Sequence, residues 1–250
     1  MTGTVATSRE LELTAALTAV RARLARAGEA AGRNVAEIEL LPVTKFFPAS
    51  DVFILRRLGC EAFGEAREQE GSNKAEEVGR MSGAQPIRWH MVGQIQRNKV
   101  RSIAGWAYAV HSVDSTRVID ALDRAAGQAQ AEGRRTDTLR IYVQLSLDGD
   151  EQRGGVDLAR PDLVDEMCAA VQAADGLEFV GLMAIPPLGS DADDAFARLA
   201  RERARVQRGY PQPLELSAGM SADLEIAVKH GSSCVRVGTA LMGPRPLTSP

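Results

Sequence analysis

The sequence predicts an α/β protein: a single (β/α)8 barrel of the TIM type with an extra N-terminal helix. Short apolar segments bounded by helix breakers alternate with helical patterns, which indicates parallel strands buried beneath helices. Eight such units within 250 residues fit a closed barrel. Neither a change in composition nor a low-complexity linker interrupts the chain, so residues 1–250 are expected to form one domain. An open, doubly wound sheet is the alternative.

The elements follow from periodicity. Residues 1–7 are small and polar and are expected to be disordered. From Ser8, the expected N-cap, to about Gly32, apolar residues recur at helical spacing and predict one long amphipathic helix. The strands are predicted at Ile38–Thr44, Ala62–Gly64, Ile87–Val92, Ala107–Ser112, Leu139–Leu147, Leu177–Ile185, Leu214–Ser217 and Cys234–Val237. The helices after the first strand are predicted at Ser50–Leu58, Glu65–Val78, Asn98–Ile103, Ser115–Ala131, Pro161–Ala174, Asp191–Gln207 and Ala222–Lys229.

Charge and composition argue against several classes of protein. The formal net charge is −3, so no broad basic field favours nucleic-acid binding. No apolar run reaches the roughly 20 residues that cross a bilayer, and Arg9, Glu10 and Glu12 interrupt any signal-peptide core. The three cysteines are widely spaced and have no histidine at metal-ligand spacing, which indicates reduced thiols and no metal site. We therefore expect a cytoplasmic protein without a nucleic-acid or membrane partner.

Lys45 follows the first predicted strand directly and precedes Phe46, Phe47 and Pro48. An amine held among apolar neighbours loses hydration, which favours the neutral form that attacks carbonyl groups. The alternative is a lysine at a strand end whose ammonium simply reaches solvent. Position alone leaves both interpretations open, although the aromatic pair and the rigid proline argue against an ordinary surface lysine.

Two small-residue loops follow the last two predicted strands. One runs from Ser217 through Gly219 to Ser221, and the other is Gly238-Thr239. Small residues let backbone N–H groups approach an anion, and Ser221 would lie at or next to the N-cap of a helix, whose free N–H groups favour phosphate. Each loop alone is a weak signal. Together they occupy the usual phosphate site of such barrels, so we predict phosphate binding here.

Three residues on the predicted strands can face a ligand. Strand alternation points Arg236 and Gly238 to the same side, and an interior arginine there can donate to a ring nitrogen; the alternative is a salt bridge within the barrel. His90 can face a ligand or be a hydrogen-bonded core residue. Met183 can line the barrel mouth or pack in the core. His111, in an apolar strand, carries no signal of its own.

These motifs resemble those of the pyridoxal phosphate homeostasis proteins, a family similar in fold to the barrel domain of bacterial alanine racemases. The resemblance runs from about Ile38 to Pro244, and its order and spacing make it specific. It rests on Val43-Thr44-Lys45, Phe63-Gly64-Glu65, Trp89-His90-Met91-Val92-Gly93 with Gln96, Asn98 and Lys99, Gly181-Leu182-Met183, Ser217-Ala218-Gly219-Met220-Ser221 and Arg236-Val237-Gly238-Thr239.

The resemblance implies that pyridoxal 5′-phosphate (PLP) forms a Schiff base with Lys45. It also implies that Arg236 faces the pyridine nitrogen, which discourages the protonated ring that makes PLP a strong electron sink. We add His90 and Met183 to the predicted PLP site. The implied phosphate contacts come from Ser217, Gly219, Met220, Ser221, Gly238 and Thr239. The implied role is a carrier or buffer in PLP homeostasis without settled catalysis, with PLP-dependent apoenzymes as candidate recipients.

Three positions depart from the family pattern. Members usually carry Asn where this chain has Ala66. Many carry a second lysine where it has Phe47, and a lysine of the loop after the fifth strand is Arg153 here. The first departure puts one polar contact to the cofactor ring in doubt. The other two question a handover route through secondary lysines.

Two alternatives to a carrier use the same residues. A PLP-dependent amino-acid racemase needs a second proton-transfer group opposite the lysine. In racemases of this fold that group is a tyrosine from a separate domain, and no motif places Tyr108, Tyr142 or Tyr210 there. A Schiff-base aldolase would use Lys45 on a substrate carbonyl and predicts a colourless protein. We prefer the carrier and expect a monomer, because the barrel can be complete in one chain.

Overall fold

The computed structural model describes residues 7–81, 87–150 and 153–245, whose strands form one parallel sheet. The strands are β1 (Glu39–Pro42), β2 (Ala62–Glu65), β3 (Arg88–Met91), β4 (Ala109–Val113), β5 (Leu139–Ser146), β6 (Val156–Asp157), β7 (Leu177–Ala184), β8 (Glu215–Ser217) and β9 (Cys234–Val237). Their order is β1-β9-β8-β7-β5-β4-β3-β2, and the short β6 pairs with β5 beside this path.

The sheet closes into a barrel where β1 meets β2. A bridge joins Val43 to Gly64, and Thr44 N donates to Gly64 O at 2.9 Å. This closure confirms the predicted eight-stranded barrel of the TIM type, and the open doubly wound sheet is wrong. Because the strands are parallel, their carboxyl ends share one mouth, where the following loops form the ligand-binding face of such barrels.

The helices surround the barrel. They are α1 (Ser8–Ala30), α2 (Ala49–Arg57), α3 (Glu68–Met81), α4 (Val100–Trp106), α5 (Thr116–Ala131), α6 (Pro161–Gln172), α7 (Ala192–Gln207), α8 (Leu224–Lys229) and α9 (Thr239–Met242), with 3-10 turns at Val35–Glu37 and Arg97–Lys99. The extra helix α1 packs against α2, α8 and α9. It buries Leu13, Leu17, Val20 and Leu24, as the periodicity predicts.

Several boundaries differ from prediction for local reasons. Thr7 rather than Ser8 caps α1, because the Thr7 hydroxyl accepts from Glu10 N at 3.2 Å; residues 1–6 of the segment expected to be disordered lie outside the described ranges. α3 begins at Glu68 rather than Glu65, since Glu65 belongs to β2. The sequence patterns miss β6 and α9, because elements of two and four residues are too short to show a period.

The barrel interior carries polar side chains between two small apolar clusters. His90, His111, Ser217 and Arg236 are all buried there. One apolar cluster contains Ala109, Tyr142, Val180 and Met183, and the other contains Leu41, Ala62 and Cys234. Two larger apolar clusters include residues of both the strands and the surrounding helices. The polar groups therefore hydrogen-bond to one another inside the barrel, away from solvent.

The cysteines Cys60, Cys168 and Cys234 are all buried and free, as predicted for reduced thiols. Burial raises the pKa of the Cys168 thiol to about 12, so this side chain is an unreactive neutral group at pH 7. No helix in the described ranges combines the length and the hydropathy that a bilayer crossing requires.

Candidate functional site

Lys45 lies just beyond β1, in a tight turn at the carboxyl-end mouth. Phe47 N donates to Thr44 O at 3.1 Å, and Phe46 has a φ of 70°, a left-handed conformation that residues with side chains rarely adopt. The Lys45 side chain is exposed, and its Nζ lies 5.8 Å from the centre of the Phe46 ring. The expectation of an amine enclosed by apolar neighbours is therefore wrong, because the turn carries Lys45 away from the buried strand.

The loop after β8 is tied to the loop after β9. Ser221 Oγ accepts from Ala240 N at 3.1 Å, at the start of α9. The prediction that Ser221 lies at or next to the N-cap of α8 is wrong by one position, since Asp223 occupies that N-cap position. Gly219 has a φ of 89°, and a Cβ there would come within 2.5 Å of Ala227 Cβ. This loop therefore requires glycine at position 219.

The loop after β9 borders the strand that carries Lys45. A Cβ on Gly238 would lie 3.8 Å from Val43 O. The backbone N–H groups of Ser221 and Gly238 have no acceptor within the described ranges, whereas Met220 N donates to Asp223 Oδ1 at 2.6 Å. Unused N–H groups in loops of small residues can hold a phosphate. The arrangement thus fits the phosphate of a ligand whose other end reaches Lys45.

Arg236 is buried in the barrel and donates to uncharged oxygens. Its guanidinium bonds Ser217 O at 2.7 Å, Ser217 Oγ at 2.5 Å and Ala184 O at 3.0 Å. These contacts replace the salt bridge considered as its alternative. Burial lowers the pKa of Arg236 from its ordinary value, but a guanidinium remains protonated at neutral pH. The interior therefore holds a fixed cationic donor, which fits a ring nitrogen that accepts a hydrogen bond.

His111, to which the sequence gives no role, is the centre of the interior network. Its Nδ1 lies 2.8 Å from Ser217 Oγ and its Nε2 lies 2.9 Å from His90 Nδ1. The ring also stacks on Tyr142, with centroids 4.2 Å apart. A histidine in an otherwise apolar strand was the only available signal, because β4 and β8 are not neighbours in the sheet.

His90 lies nearer the opposite mouth of the barrel than Lys45 does. Its ring lines a cavity of about 390 Å³ formed at the amino ends of strands by Glu39, Arg88, Arg140 and Glu215, among others. Its Nε2 lies 3.9 Å from Glu39 Oε2. Burial lowers the pKa of His90 to about 3, so the ring is neutral at pH 7. Among the described residues, the hydrogen bonds that connect His90 to Arg236 pass through His111 and Ser217.

Met183 packs within the barrel rather than at its rim. The side chain is buried against Ala109, Tyr142 and Val180. This location supports the core-packing interpretation of Met183. It also leaves the mouth to Lys45 and the two small-residue loops.

The three departures from the family pattern have clear local environments. The Ala66 carbonyl packs so closely on Gly93 that a Cβ on Gly93 would lie 1.9 Å from Ala66 O. Phe47 is buried beneath the guanidinium of Arg9, which lies 5.4 Å from the ring centre. Arg153 donates to Asp148 Oδ2 at 3.2 Å and to Pro186 O at 2.9 Å. Neither Phe47 nor Arg153 offers an amine that could take over an aldehyde.

A family model matches most of the chain. The model described as the N-terminal domain of alanine racemase covers residues 16–246. The pyridoxal phosphate homeostasis protein of Mycobacterium tuberculosis (strain ATCC 25618 / H37Rv) is 62% identical over 248 residues, which cover 97% of this chain and 96% of that protein.

Solved structures share the fold. A protein from Bifidobacterium adolescentis superposes with a TM-score of 0.83 at 29% identity, over 95% of this chain and 97% of that one. PipY of Synechococcus elongatus PCC7942, in a structure with PLP bound, superposes with a TM-score of 0.76 at 29% identity, over 92% of this chain and all of PipY. These similarities agree with the barrel and with the resemblance noted in the sequence.

Proposed function

Because the chain belongs to the family of pyridoxal phosphate homeostasis proteins, we propose that it binds PLP as a Schiff base on Lys45 and acts as a PLP carrier or buffer. The observation that carries the proposal is the exposed Lys45 amine at the same mouth as two loops with unused N–H groups. PLP supplies an aldehyde that condenses with an amine and a phosphate that needs N–H donors. PipY, a relative of the same fold, has been solved with PLP bound.

Each predicted site residue has a specific role in this proposal. Lys45 holds the aldehyde carbon, and Arg236 donates to the pyridine nitrogen. Arg236 is positioned by a chain of contacts inside the barrel, formed by Ser217, His111 and His90. Met183 packs in the barrel interior. The phosphate is held by the small-residue loops, through Gly219, Ser221, Gly238 and Thr239. The predicted contacts from Ser217 and Met220 are not included, because the Ser217 hydroxyl bonds Arg236 and His111 and Met220 N bonds Asp223.

The tyrosines support a carrier over a racemase. The chain has three tyrosines. The Tyr142 hydroxyl donates to Glu215 at the amino-end mouth, and Tyr108 lies there beneath the guanidinium of Arg140. Tyr210 packs edge-on against Phe179. A two-base racemase needs a proton-transfer group opposite its lysine, and these contacts engage the chain's tyrosines elsewhere.

Lys45→Ala is expected to abolish the visible absorption band of the PLP-loaded protein, because no amine remains at the turn to form the imine. The measurement is the absorption spectrum before and after borohydride reduction, with the modified peptide located by mass spectrometry. Lys229→Ala is the matched control and should keep the band, since Lys229 is exposed, pairs with Asp193 at 2.6 Å and belongs to none of the motifs of the predicted site. Labelling of a lysine other than Lys45 in the wild-type protein would contradict the proposal.

Catalysis is tested separately on the same protein. A carrier is expected to leave L-alanine and other L-amino acids optically unchanged when loaded with PLP. Racemisation faster than about 1 s⁻¹, within the ordinary range of enzymes, would establish the racemase instead.

Arg236→Gln is expected to raise the protonated fraction of the bound pyridine ring, because the amide lacks the fixed positive charge of the guanidinium. A pH titration of the absorption spectrum measures this fraction. The same titration on Arg203→Gln serves as control, because Arg203 donates to Leu214 O away from the mouth. Identical titrations for Arg236→Gln and the wild type would remove the assigned role of Arg236.

We further propose that the chain works in the cytoplasm as a monomer and passes PLP to PLP-dependent apoenzymes. Its free cysteines support a reducing compartment. Sedimentation of the loaded protein tests the monomer, and transfer of absorbance to an added apoenzyme tests the recipient class.

A further inference from the structure

A buried ionic cluster forms hydrogen bonds with the backbone on both sides of Lys45. We define the clamp as Glu65, Glu70 and Lys74. Lys74 Nζ donates to Thr44 O at 2.7 Å, and Glu70 Oε1 accepts from Phe46 N at 2.5 Å. The clamp therefore contacts the residue before Lys45 and the residue after it, while the Lys45 side chain remains exposed.

All the hydrogen-bond donors of the Lys74 ammonium group are used within the clamp and the turn. Its ammonium donates to Thr44 O, to Glu65 Oε1 at 2.8 Å and to Glu70 Oε1 at 2.9 Å. Three bonds use all three protons of an ammonium, and the side chain is 7% exposed. Because its three hydrogen bonds engage the whole ammonium group, Lys74 is not a second acceptor of the aldehyde. Its contacts instead hold main-chain atoms in place.

Glu65 anchors the clamp to the barrel. Its Oε1 also accepts from Thr44 Oγ at 2.6 Å, and the carboxylate is wholly buried at the end of β2. β2 is the strand that closes the barrel against β1 through Val43 and Gly64. The Glu65 side chain therefore ties the Lys45 turn to the sheet, through its contacts with Thr44 and Lys74.

The turn needs such support because its conformation is unfavourable for this sequence. Phe46 is the one non-glycine residue with a left-handed φ in the described ranges. A type of turn with positive φ at its third residue normally has glycine or asparagine there. A residue held in this region persists only when its surroundings over-determine it, and such residues cluster at functional sites. The hydrogen bond from Phe46 N to Glu70 Oε1 holds the backbone of the strained residue, whereas the guanidinium groups of Arg67 and Arg245 contact its ring, 5.0 and 3.8 Å from the ring centre.

We propose that Glu70 and Lys74 are positioning residues, which hold the Phe46 turn in its left-handed conformation so that the Lys45 amine points toward the PLP aldehyde. This inference rests on the proposed Schiff base at Lys45. Neither residue touches the cofactor in this account. Both act through the backbone of Thr44 and Phe46.

Glu70→Ala is the first test. With full-length protein freed of PLP, the appearance of the visible band after PLP is added should be slower, and the dissociation constant for PLP should be higher, each by about tenfold. This is the effect of losing one hydrogen bond to a charged group. Glu76→Ala is the matched control on the same helix, because Glu76 pairs with Arg80 on the surface, and it should behave as the wild type.

A second substitution separates positioning from general damage. Phe46→Gly removes the conformational cost of the left-handed turn, so Phe46→Gly in the Glu70→Ala background should restore the rate to within about threefold of the wild type. Phe46→Ala in the same background removes the ring but keeps the Cβ, and it should not restore the rate. Urea unfolding of each variant reports stability independently.

The outcomes separate this inference from the proposed function. If borohydride fails to label Lys45 in the wild type, the proposed function is wrong. If the wild type is labelled on Lys45 but Glu70→Ala binds PLP at the same rate and affinity, only the positioning role is overturned. Equal restoration by Phe46→Ala and Phe46→Gly would likewise overturn it, because the ring and not the backbone conformation would then be responsible.

Discussion

Gly93→Ala is expected to lower the free energy of unfolding by about 3 kcal/mol or more, or to prevent folding. A Cβ at position 93 would lie 1.9 Å from Ala66 O and 2.6 Å from the Ala66 carbonyl carbon. Both atoms belong to the backbone that links β2 to α3, so a side-chain rotation cannot relieve the overlap. The measurement is the midpoint and slope of urea unfolding followed by circular dichroism.

Gly127→Ala is the matched control for this substitution. Gly127 lies in α5, and a Cβ there meets nothing within 4 Å. The exchange should raise the free energy of unfolding by up to about 1 kcal/mol, because alanine is the better helix former. An unfolding midpoint for Gly93→Ala equal to that of the wild type would show that Ala66 and Gly93 separate at little cost, contrary to the packing described above.

The second large effect is a loss of stability in mild acid that depends on His90 and His111. Burial lowers the pKa of His90 to about 3 and the pKa of His111 well below its usual range. In the unfolded chain both imidazoles titrate near pH 6.5. Between about pH 6.5 and pH 3 the unfolded state therefore binds more protons, so folding stability is full above pH 6.5 and falls as the pH is lowered.

Urea unfolding at pH 7.5, 6.5, 5.5 and 4.5 measures this slope. Each histidine should contribute about 1.4 kcal/mol per pH unit at the steepest part. Burial raises the pKa of Glu39 and of Glu65, and these carboxyls act with the opposite sign near the acid end of the range. The difference between the slopes of the wild type and His90→Gln gives the contribution of His90 to the pH dependence of the free energy of unfolding. Equal slopes for the two proteins would contradict it.

The sequence predicts strands better than it predicts where helices begin. β9 has the bounds that the pattern indicates, since Cys234 to Val237 is a short apolar run with one buried arginine. The predicted start of α3 at Glu65 fails because a glutamate before a helical pattern reads as a first-turn acid. In the structure Glu65 instead bonds Thr44 and Lys74, which are 21 and 9 residues away in the chain. Local pattern carries no information about such contacts.

The candidate site also combines local features, which the sequence predicts, with contacts between distant residues, which it does not. Lys45 and the two loops could be identified because strand ends and small residues are local features. The network of His111, Ser217 and Arg236 could not, because its members lie on β4, β8 and β9 and meet only inside the closed barrel. The exposure of Lys45 could not be predicted from the sequence either, since it depends on the left-handed φ of Phe46.

The three sequestered thiols give the chain an internal reporter of its own opening. Cys60, Cys168 and Cys234 lie in different apolar clusters of the molecule. An alkylating reagent can modify them only when the surrounding structure separates, so the rate at each sulfur reports the free energy of that local opening. Mass spectrometry of the alkylated peptides would therefore show whether the outer layers and the barrel lumen come apart together or one before the other.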